Sequence, residues 1–215
     1  MSSLLESSIV RICHADGVAV GAGFLVGERH ILTCAHVVAA ALGLPDEAPE
    51  KPQAAVSLDL PRVAPRRLLT ARIMLWRPPR TDGGDDIAGL ELESDPPHGA
   101  RAAPLAQVDD LWERSFRAFG FPKGQDTGVW ATGRLLGRQV THWVQIEGAK
   151  EPGFAIGPGF SGTPVWDSQV QAVVGMVVAA EPRMHLKTAF AIPVDVLVNT
   201  WPLLESLIHP FVFLC

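Results

Sequence analysis

One serine, Ser161, stands between glycines in a turn-like segment, residues 157–166, and a strand-like apolar run follows it. A nucleophilic serine for acyl transfer requires this kind of setting, because its hydroxyl must be exposed and backbone N–H groups must meet the developing oxyanion. Glycine permits positive φ and the close approach of a substrate. The pattern alone is more often an ordinary Gly/Ser/Pro turn entering a strand. A general base and an orienting acid are therefore needed before it indicates chemistry.

Candidates for both partners precede the serine in the chain. His36, one of seven histidines, follows an apolar strand and opens a short helix. Asp86 leads into an apolar run at residues 87–92, and its neighbour Asp85 is the alternative acid. Each of these residues alone is typical of a structural or solvent-exposed position. In acyl transfer, the histidine would accept the serine proton, and the aspartate would fix the histidine tautomer and stabilise its cation.

The elements that must position these residues are short strands separated by turns. A short helix is predicted at residues 34–41, and a terminal helix from residue 193. Many short strands at near-regular spacing predict an all-β barrel or sandwich architecture. The predicted strands are residues 9–13, 18–26, 31–33, 56–60, 68–76 and 87–92, then 115–121, 129–136, 140–147, 170–180 and 188–192.

Composition narrows the class of protein. A chain of 215 residues with 47% hydrophobic residues can bury a substantial core, as one large domain or two small lobes. Its 20 glycines, 18 prolines and 19% charged residues favour a turn-rich, strand-rich protein. The net charge of −5, with no basic stripe, predicts that nucleic acid is not a partner. No apolar run reaches the ~18 residues of a membrane span, so we predict no membrane partner either.

The cysteine count and the N-terminal sequence indicate the cellular compartment of the protein. Cys13, Cys34 and Cys215 form an odd, sparse set that is unlike a disulfide framework. The first eight residues lack the basic start and apolar run of a signal peptide. We therefore predict a cytoplasmic protein with reduced thiols.

The sequence predicts no cofactor. Its histidines are scattered, without an i, i+4 pair or a C-x-x-C motif, so we expect no metal. Residues 153–159 contain glycines but lack the Lys-Ser/Thr of a phosphate-binding loop.

The order of the three candidate motifs closely resembles that of the chymotrypsin-like (trypsin-fold) serine peptidases. The family motifs T-A-A-H, D-I-A and G-x-S-G-G-P stand here as Thr33-Cys34-Ala35-His36, Asp86-Ile87-Ala88 and Gly159-Phe160-Ser161-Gly162-Thr163-Pro164. Residues 21–26 resemble the family's glycine-rich strand before the histidine. Segments 119–122, 133–135, 174–177 and 190–193 resemble the bacterial HtrA/Deg branch.

This resemblance implies a fold and a division into domains. We expect two six-stranded antiparallel β-barrels, with the active site in the cleft between them and a short C-terminal helix. Residues 1–95 would form the lobe that carries His36 and Asp86, and residues 96–104 the linker. Residues 105–200 would form the lobe that carries Ser161, followed by a helix or tail at residues 201–215.

The resemblance also assigns roles to individual residues. Ser161 would be the nucleophile, His36 the general base and then acid, and Asp86 the residue that orients His36. Backbone N–H groups of Gly159 and Ser161 would form the oxyanion hole. Alignment to the family places a small apolar substrate pocket at Ala155, Ala180 and Thr188. If the loops align differently, Glu151 or Glu181 reaches this pocket instead.

Three positions depart from the family pattern. Thr163 replaces a glycine, so its backbone must adopt ordinary geometry, since a β-branched residue disfavours positive φ. Cys34 replaces an alanine and is expected to pack as a small apolar residue. Phe160 stands where secreted members carry an aspartate that pairs with a freed N-terminal amine. The oxyanion hole must then be ordered by loops, substrate or a partner.

The resemblance predicts an intracellular trypsin-like serine endopeptidase that cleaves a protein or peptide. The strings at residues 159–167 and 120–122 resemble effector modules of multidomain bacterial defence and signalling proteins, where a sensor or activator, separate or fused, controls the protease. One alternative is an HtrA-type quality-control protease, which the absence of a signal sequence and of a PDZ-sized segment disfavours. The other is a pseudoprotease that serves as a binding or regulatory module, which the complete His, Asp and Ser set disfavours.

Overall fold

A computed structural model describes residues 3–80, 84–148, 154–180 and 188–208. Strands are the main regular structure of the described chain, and the helices are short. In chain order, the elements are α1 (Leu4–Ser8), β1 (Ile9–Cys13), β2 (Ala19–Leu25), β3 (His30–Thr33), α2 (Ala35–Leu42), β4 (Val56–Leu60), β5 (Ala64–Pro79), β6 (Asp85–Leu92), β7 (Ser115–Gly120), β8 (Val129–Arg138), β9 (Val144–Gly148), β10 (Pro164–Asp167), β11 (Ala172–Ala180), β12 (Thr188–Pro193), α3 (Val194–Thr200) and a 3₁₀ turn (Pro202–Leu207).

The strands close into two antiparallel barrels of six strands each. The first has the strand order β1-β2-β3-β6-β5-β4, and the second has the order β10-β11-β12-β9-β8-β7. Closure pairs the outer strands of each sheet with each other, which removes the exposed edges that promote aggregation. Both the all-β class and the pair of six-stranded barrels are confirmed.

The register of the first barrel brings two separate parts of the chain to one end. Strand β3 pairs with β6 so that Thr33 faces Ala88. Because the strands are antiparallel, residues just after Thr33 lie beside residues just before Ala88. His36 and Asp86 fall within these two flanking segments. Strand β6 is buried along almost its whole length, so its first residues are fixed by the core.

The second barrel differs from the sequence prediction at three strands. The short strand β10 was not predicted, because its proline-rich start reads as a turn. Strand β9 begins at Val144 rather than at residue 140, since Val140 is 99% exposed in a turn where His142 has φ +66°. Strand β11 begins at Ala172 because the Asp167 carboxylate accepts the N–H of Gln169 and holds a turn.

Helix α1 was also absent from the prediction. Its N-terminus is a capping box, in which the Ser3 side chain accepts the Glu6 N–H and the Glu6 carboxylate accepts the Ser3 N–H. Five residues are too few to show a helical period in sequence.

The segment that follows the first barrel and the C-terminal elements contact both barrels. Ala103 donates its N–H to Leu25 of the first barrel, and Val173 of the second donates to Pro104. Helix α3 packs on β11 and β12, whereas Trp201 covers Gly89 of β6, where a β-carbon would lie 2.6 Å from the indole ring. The predicted domain boundaries stay a prediction. Among the described residues, no helix has the length and apolar character needed to cross a bilayer.

Candidate active site

His36 and Asp86, 50 residues apart in sequence, are joined by two hydrogen bonds. The Asp86 Oδ2 atom lies 2.6 Å from His36 Nδ1, and Oδ1 accepts the backbone N–H of His36 at 2.9 Å. One carboxylate oxygen thus fixes the ring and the other fixes the backbone of the same residue. The side chain of Asp86 is 4% exposed, and that of His36 is 28% exposed. The imidazole therefore contacts solvent while its orienting carboxylate is excluded from it.

The position of His36 in helix α2 explains the backbone hydrogen bond. The first N–H groups of a helix have no partner within the helix. The N-cap residue, Cys34, supplies no side-chain cap, so Asp86 accepts the N–H of the second helical residue from outside the helix. Asp86 has φ +70°, a left-handed conformation that aspartate tolerates better than most residues. Capping the helix and orienting the ring are therefore functions of one side chain.

The environment of His36 changes its affinity for a proton. Burial lowers the pKa of His36, but the hydrogen bond and the negative charge of Asp86 oppose this effect and outweigh it. The pKa of His36 is raised above its usual value of 6.5. A raised pKa strengthens the ring as a base.

The predicted nucleophile follows a tight turn. Phe160 donates its N–H to Gly157 at 3.0 Å, Pro158 and Gly159 are the two central residues, and Gly159 has φ +94°. These are the features of a type II turn, which favours proline second and requires glycine third. A β-carbon on Gly159 would lie 2.4 Å from the carbonyl oxygen of Phe121, so the close approach of strand β7's end demands glycine as well.

Two N–H groups beside this turn remain available for a substrate. Within the described part of the chain, neither Gly159 N–H nor Ser161 N–H donates to an acceptor, whereas Phe160, Gly162 and Thr163 all donate. Free N–H groups on alternate residues of a turn can bind an oxyanion. These are the two groups predicted for the oxyanion hole.

Ser161 and Gly162 pack against the first barrel, close to the segment that leads to His36. Ser161 accepts the N–H of Ala22 on β2 at 3.0 Å. Gly162 has φ +82°, and a β-carbon there would lie 2.0 Å from the Ala22 carbonyl oxygen and 2.6 Å from Thr33 Oγ1. Only glycine fits this contact between the barrels.

Gly21 lies between helix α2 and the segment that contains the predicted nucleophile, residues 159–163. A β-carbon on Gly21 would lie 2.7 Å from the side chain of Val37 and 3.3 Å from the carbonyl oxygen of Ser161. The Ser161 carbonyl oxygen and the side chain of Val37, the residue after His36, therefore both lie next to the α-carbon of Gly21 and leave no room for a side chain there. In the described residues, no hydrogen bond joins Ser161 Oγ to the His36 ring. Such bonds are commonly long without substrate and shorten when it binds.

Two residues that depart from the family motif hold the nucleophile segment in the second barrel. Phe160 is fully buried in the core of that barrel. Thr163 is also fully buried, is not among the positive-φ residues, and donates its hydroxyl to the Phe119 carbonyl oxygen at 3.0 Å. The expected ordinary geometry of Thr163 is thus observed. Sequence reasoning missed its hydrogen bond, for which the only signal was a hydroxyl at a glycine position.

Cys34 adds a third potential metal ligand to the pair. Its sulfur, a nitrogen of His36 and an oxygen of Asp86 all lie within 4.8 Å of one another. Burial raises the pKa of the Cys34 thiol well above its usual value, and the charge of Asp86 raises it further. Because the thiol keeps its proton at neutral pH and His36 Nδ1 already binds Asp86, the ordinary state of this group is a hydrogen-bonded histidine–aspartate pair beside a neutral thiol.

The predicted pocket residues are placed only in part. Ala155 is exposed, four residues before Gly159. Ala180 ends β11 and pairs with Ala189, so it lies beside Thr188, the first residue of β12. This places two of the three on neighbouring strands and leaves their grouping with Ala155 a prediction. Glu151 and Glu181 lie outside the described residues.

The alternative acid occupies a different position from the predicted one. Asp85 is half-buried and pairs with Pro79 in the ladder between β5 and β6. Asp86, not Asp85, accepts both hydrogen bonds from His36.

The two antiparallel six-stranded barrels define a chymotrypsin-fold protein. One barrel carries the histidine–aspartate pair, and the serine turn of the other barrel packs against it. The sequence profile of the trypsin-like peptidase domain matches residues 21–176, and the chain belongs to this family. This family match supports the assignment of the chain as a serine peptidase.

Solved structures share the fold at low sequence identity. The chain is similar to Deg5 (TM-score 0.65, 22% identity, covering 96% of this chain and 92% of that one). It is also similar to a serine-to-alanine mutant of Rv3671c from M. tuberculosis H37Rv in an inactive form (TM-score 0.62, 18% identity, covering 94% of this chain and 88% of that one). The HtrA-type protease AlgW with a decapeptide gives TM-score 0.62 and 20% identity, over 88% of this chain and 52% of that one. No curated protein matches the chain in sequence.

Proposed function

We propose that this protein is a serine endopeptidase that hydrolyses peptide bonds through an acyl-enzyme. The observation that carries the proposal is the double hydrogen bond by which Asp86 holds both the ring and the backbone of His36. Membership of the trypsin-like peptidase domain family supports the same class of reaction.

In the first half of the proposed reaction, Ser161 Oγ attacks the substrate carbonyl carbon. His36 Nε2 accepts the hydroxyl proton, and the negative charge of Asp86 stabilises the imidazolium that forms. The N–H groups of Gly159 and Ser161 donate to the oxyanion of the tetrahedral intermediate. His36 then donates its proton to the departing amine, which breaks the peptide bond and leaves the acyl group on Ser161.

In the second half, water replaces the amine. His36 takes a proton from water, the resulting hydroxide attacks the ester carbonyl, and the same two N–H groups bind the oxyanion again. Collapse of this intermediate releases the carboxylic acid and returns the proton to Ser161 Oγ. No step requires a cofactor, because the side chains supply the base, the acid and the nucleophile.

We also propose a small apolar substrate pocket at Ala155, Ala180 and Thr188. The support is their side-chain size and the position of Ala180 and Thr188 on neighbouring strands of the second barrel. Profiling of a peptide library should then show preference for small or medium apolar residues before the scissile bond. Preference for Lys or Arg would overturn this proposal and favour an acidic pocket.

The enzyme proposal is tested by labelling with a fluorophosphonate probe, read by intact mass. Wild type should gain one adduct, and Ser161→Ala should gain none, because the probe phosphonylates only an activated serine. Circular dichroism checks that both proteins are folded. Labelling that persists in Ser161→Ala would overturn the site assignment. Absence of labelling in folded wild type would leave two alternatives, a gated enzyme that awaits its partner or a pseudoprotease.

For the cellular role, we propose an intracellular effector that cleaves a specific protein partner when a sensor or activator, separate or fused, triggers it. The support is the resemblance of residues 159–167 and 120–122 to such bacterial modules. Incubation with each protein encoded beside it, for wild type and Ser161→Ala, should give one defined cut in one folded partner. Rapid cleavage of unfolded casein without any defined cut would favour the HtrA-type quality-control protease, whose support is the shared fold of Deg5 and AlgW.

A further inference from the structure

Cys34 contacts the second barrel from the first. It lies two residues before His36, and its side chain is fully buried. Its thiol donates to the carbonyl oxygen of Val177 on β11, with an S···O distance of 3.3 Å. Cys34 follows β3 of the first barrel, whereas β11 belongs to the second. The thiol therefore forms a hydrogen bond between the barrels next to the histidine.

The same carbonyl oxygen accepts a second hydrogen bond from the nucleophile side. Gly162, directly after Ser161, donates its N–H to Val177 at 2.8 Å. Val177 in turn donates its own N–H to the carbonyl oxygen of Thr163 at 2.9 Å. The peptide groups of Val177 are thus bound to both residues that follow Ser161. A carbonyl oxygen has two lone pairs, so it can accept the thiol and the amide together.

We propose that Cys34 is a positioning residue, whose thiol and the Gly162 N–H share the Val177 carbonyl oxygen and so set the distance between His36 and Ser161. This inference rests on the proposed function, because it concerns the geometry of the proposed base and nucleophile. It goes beyond packing as a small apolar residue, since an alanine would fill part of the space without donating.

The protonation state of the thiol agrees with this role. A thiol donates one hydrogen bond, and a thiolate donates none. Burial raises the pKa of Cys34 well above its usual value, and the nearby charge of Asp86 raises it further. The proton therefore stays on the sulfur at neutral pH.

Catalysis is sensitive to this kind of constraint. A displacement of about 1 Å between reacting groups can cost about 10²-fold in rate, even when the change lies away from the chemistry. Cys34 and Gly162 lie two residues and one residue from His36 and Ser161, respectively. Loss of the thiol donor would remove one of the links between the two segments and leave their separation less constrained.

Three substitutions separate donation from packing. Cys34→Ser keeps a donor of similar size, Cys34→Val fills the space without a donor, and Cys34→Ala removes both. The measurement is saturation kinetics of fluorophosphonate labelling, which gives the maximal inactivation rate and the half-saturating probe concentration separately. The thermal unfolding midpoint of each variant shows whether it is folded at the assay temperature.

We expect Cys34→Val and Cys34→Ala to lower the maximal inactivation rate by about tenfold or more, with the half-saturating concentration within about threefold of wild type. Cys34→Ser should remain within about threefold of wild type, because its hydroxyl donates to the same carbonyl. Wild-type rates in Cys34→Val would overturn the proposal. So would a loss in Cys34→Ser as large as that in Cys34→Ala, because packing alone would then explain both. If Cys34→Val does not fold, Cys34→Ala and Cys34→Ser decide between these outcomes.

An independent readout keeps the two proposals distinguishable. If folded wild type is not labelled, because it is a gated enzyme or a pseudoprotease, the role of Cys34 is read from hydrogen exchange of the Gly162 amide by NMR. Exchange in Cys34→Val should be faster than in wild type, with Cys34→Ser close to wild type, since movement between the barrels exposes this N–H. Equal exchange in all three proteins would overturn the positioning role without reference to activity.

Discussion

The Phe160 ring packs directly against Gly120, where a β-carbon would lie 2.5 Å from the ring. Gly120 ends β7, and Phe160 is the residue immediately before Ser161. Phe121, the residue directly after β7, donates its N–H to the carbonyl oxygen of Gly159 at 2.8 Å. The turn that precedes the serine is therefore held by apolar packing and one backbone hydrogen bond. No ion pair with an N-terminal amine is needed to order it.

This packing predicts that Gly120→Ala disturbs the proposed oxyanion hole. The added methyl group overlaps the Phe160 ring, and overpacking of this kind costs about 1–3 kcal/mol. The ring must move, and the backbone of Gly159 and Ser161 moves with it. We expect the fluorophosphonate labelling rate to fall by about tenfold or more. Gly137→Ala, in β8, is the matched control, because a β-carbon there meets its nearest atom at 3.5 Å, an ordinary contact. Equal labelling rates in the two variants would contradict the prediction.

Asp86→Asn tests the pairing of carboxylate and imidazole. Asparagine tolerates the left-handed backbone of this position and can still accept the His36 N–H, but it cannot stabilise the imidazolium. In the serine-protease template the equivalent change costs about 10⁴-fold in kcat, and a loss of that order is expected in peptide cleavage or probe labelling. Asp85→Asn, at the neighbouring residue with φ +62°, should stay within about threefold of wild type. A large loss in Asp85→Asn with near-wild-type rates in Asp86→Asn would favour Asp85 as the acid.

The raised pKa of His36 sets the direction of two pH dependences. The neutral ring is the base, so the labelling rate of wild type should increase with pH through a midpoint above 6.5. The folded state binds the His36 proton more tightly than the unfolded state does. The stabilisation that this proton gives to the folded state is complete below about pH 6.5, and it disappears as pH rises through the native pKa of His36.

Urea unfolding between pH 6 and pH 9 should therefore show the free energy of unfolding falling across this window in wild type. The fall should be smaller in Asp86→Asn, where the charge that raises the pKa of His36 is absent. An NMR titration of the His36 ring provides the midpoint directly. A midpoint below 6.5 in wild type would contradict both dependences.

Thr163 tests whether the hydroxyl at a glycine position contributes to stability. Thr163→Val keeps the shape but leaves the Phe119 carbonyl oxygen without this donor, which we expect to cost about 1–3 kcal/mol. Thr132→Val on the exposed face of β8 should change stability by less than about 0.5 kcal/mol. Denaturant unfolding of both variants gives the comparison. Equal midpoints would show that the buried hydroxyl contributes nothing.

A buried ion pair lies beside Phe121, the residue that donates its N–H to Gly159 in the turn before Ser161. Arg11 of β1 donates Nε to the fully buried Asp59 at 3.0 Å, and it also donates to the Asp126 carbonyl oxygen at 2.7 Å and lies over the Phe121 ring. Arg11→Met leaves a buried carboxylate without its cation, a change that costs about 3–5 kcal/mol.

Arg62→Met is the control for Arg11→Met. Arg62 pairs with Glu6 at 3.1 Å, and its side chain is 41% exposed, so this substitution should cost less than about 1 kcal/mol. Urea unfolding at pH 7 measures both changes. Similar costs for the two variants would show that the Arg11 pair behaves as a surface pair.

Much of the molecule was predictable from local sequence. Strand alternation and turn residues predicted six strands of the first barrel, and the order of His36, Asp86 and Ser161 with their neighbours indicated the class of site. Strand β10 was not predictable, because a short strand that begins with proline has too few residues to show alternation. The turn at Val140 was missed because an apolar residue there is exposed, which only the paired register of β8 and β9 decides.

The sequence by itself determined which groups could react, because the types of the residues and their flanking motifs are local properties. Only the tertiary structure decided which oxygen of Asp86 meets which nitrogen of His36, since that depends on the register of Thr33 with Ala88. It also decided that Val177 accepts hydrogen bonds from both barrels. Contacts between residues more than a hundred positions apart arise from barrel closure and packing, and no local pattern encodes them.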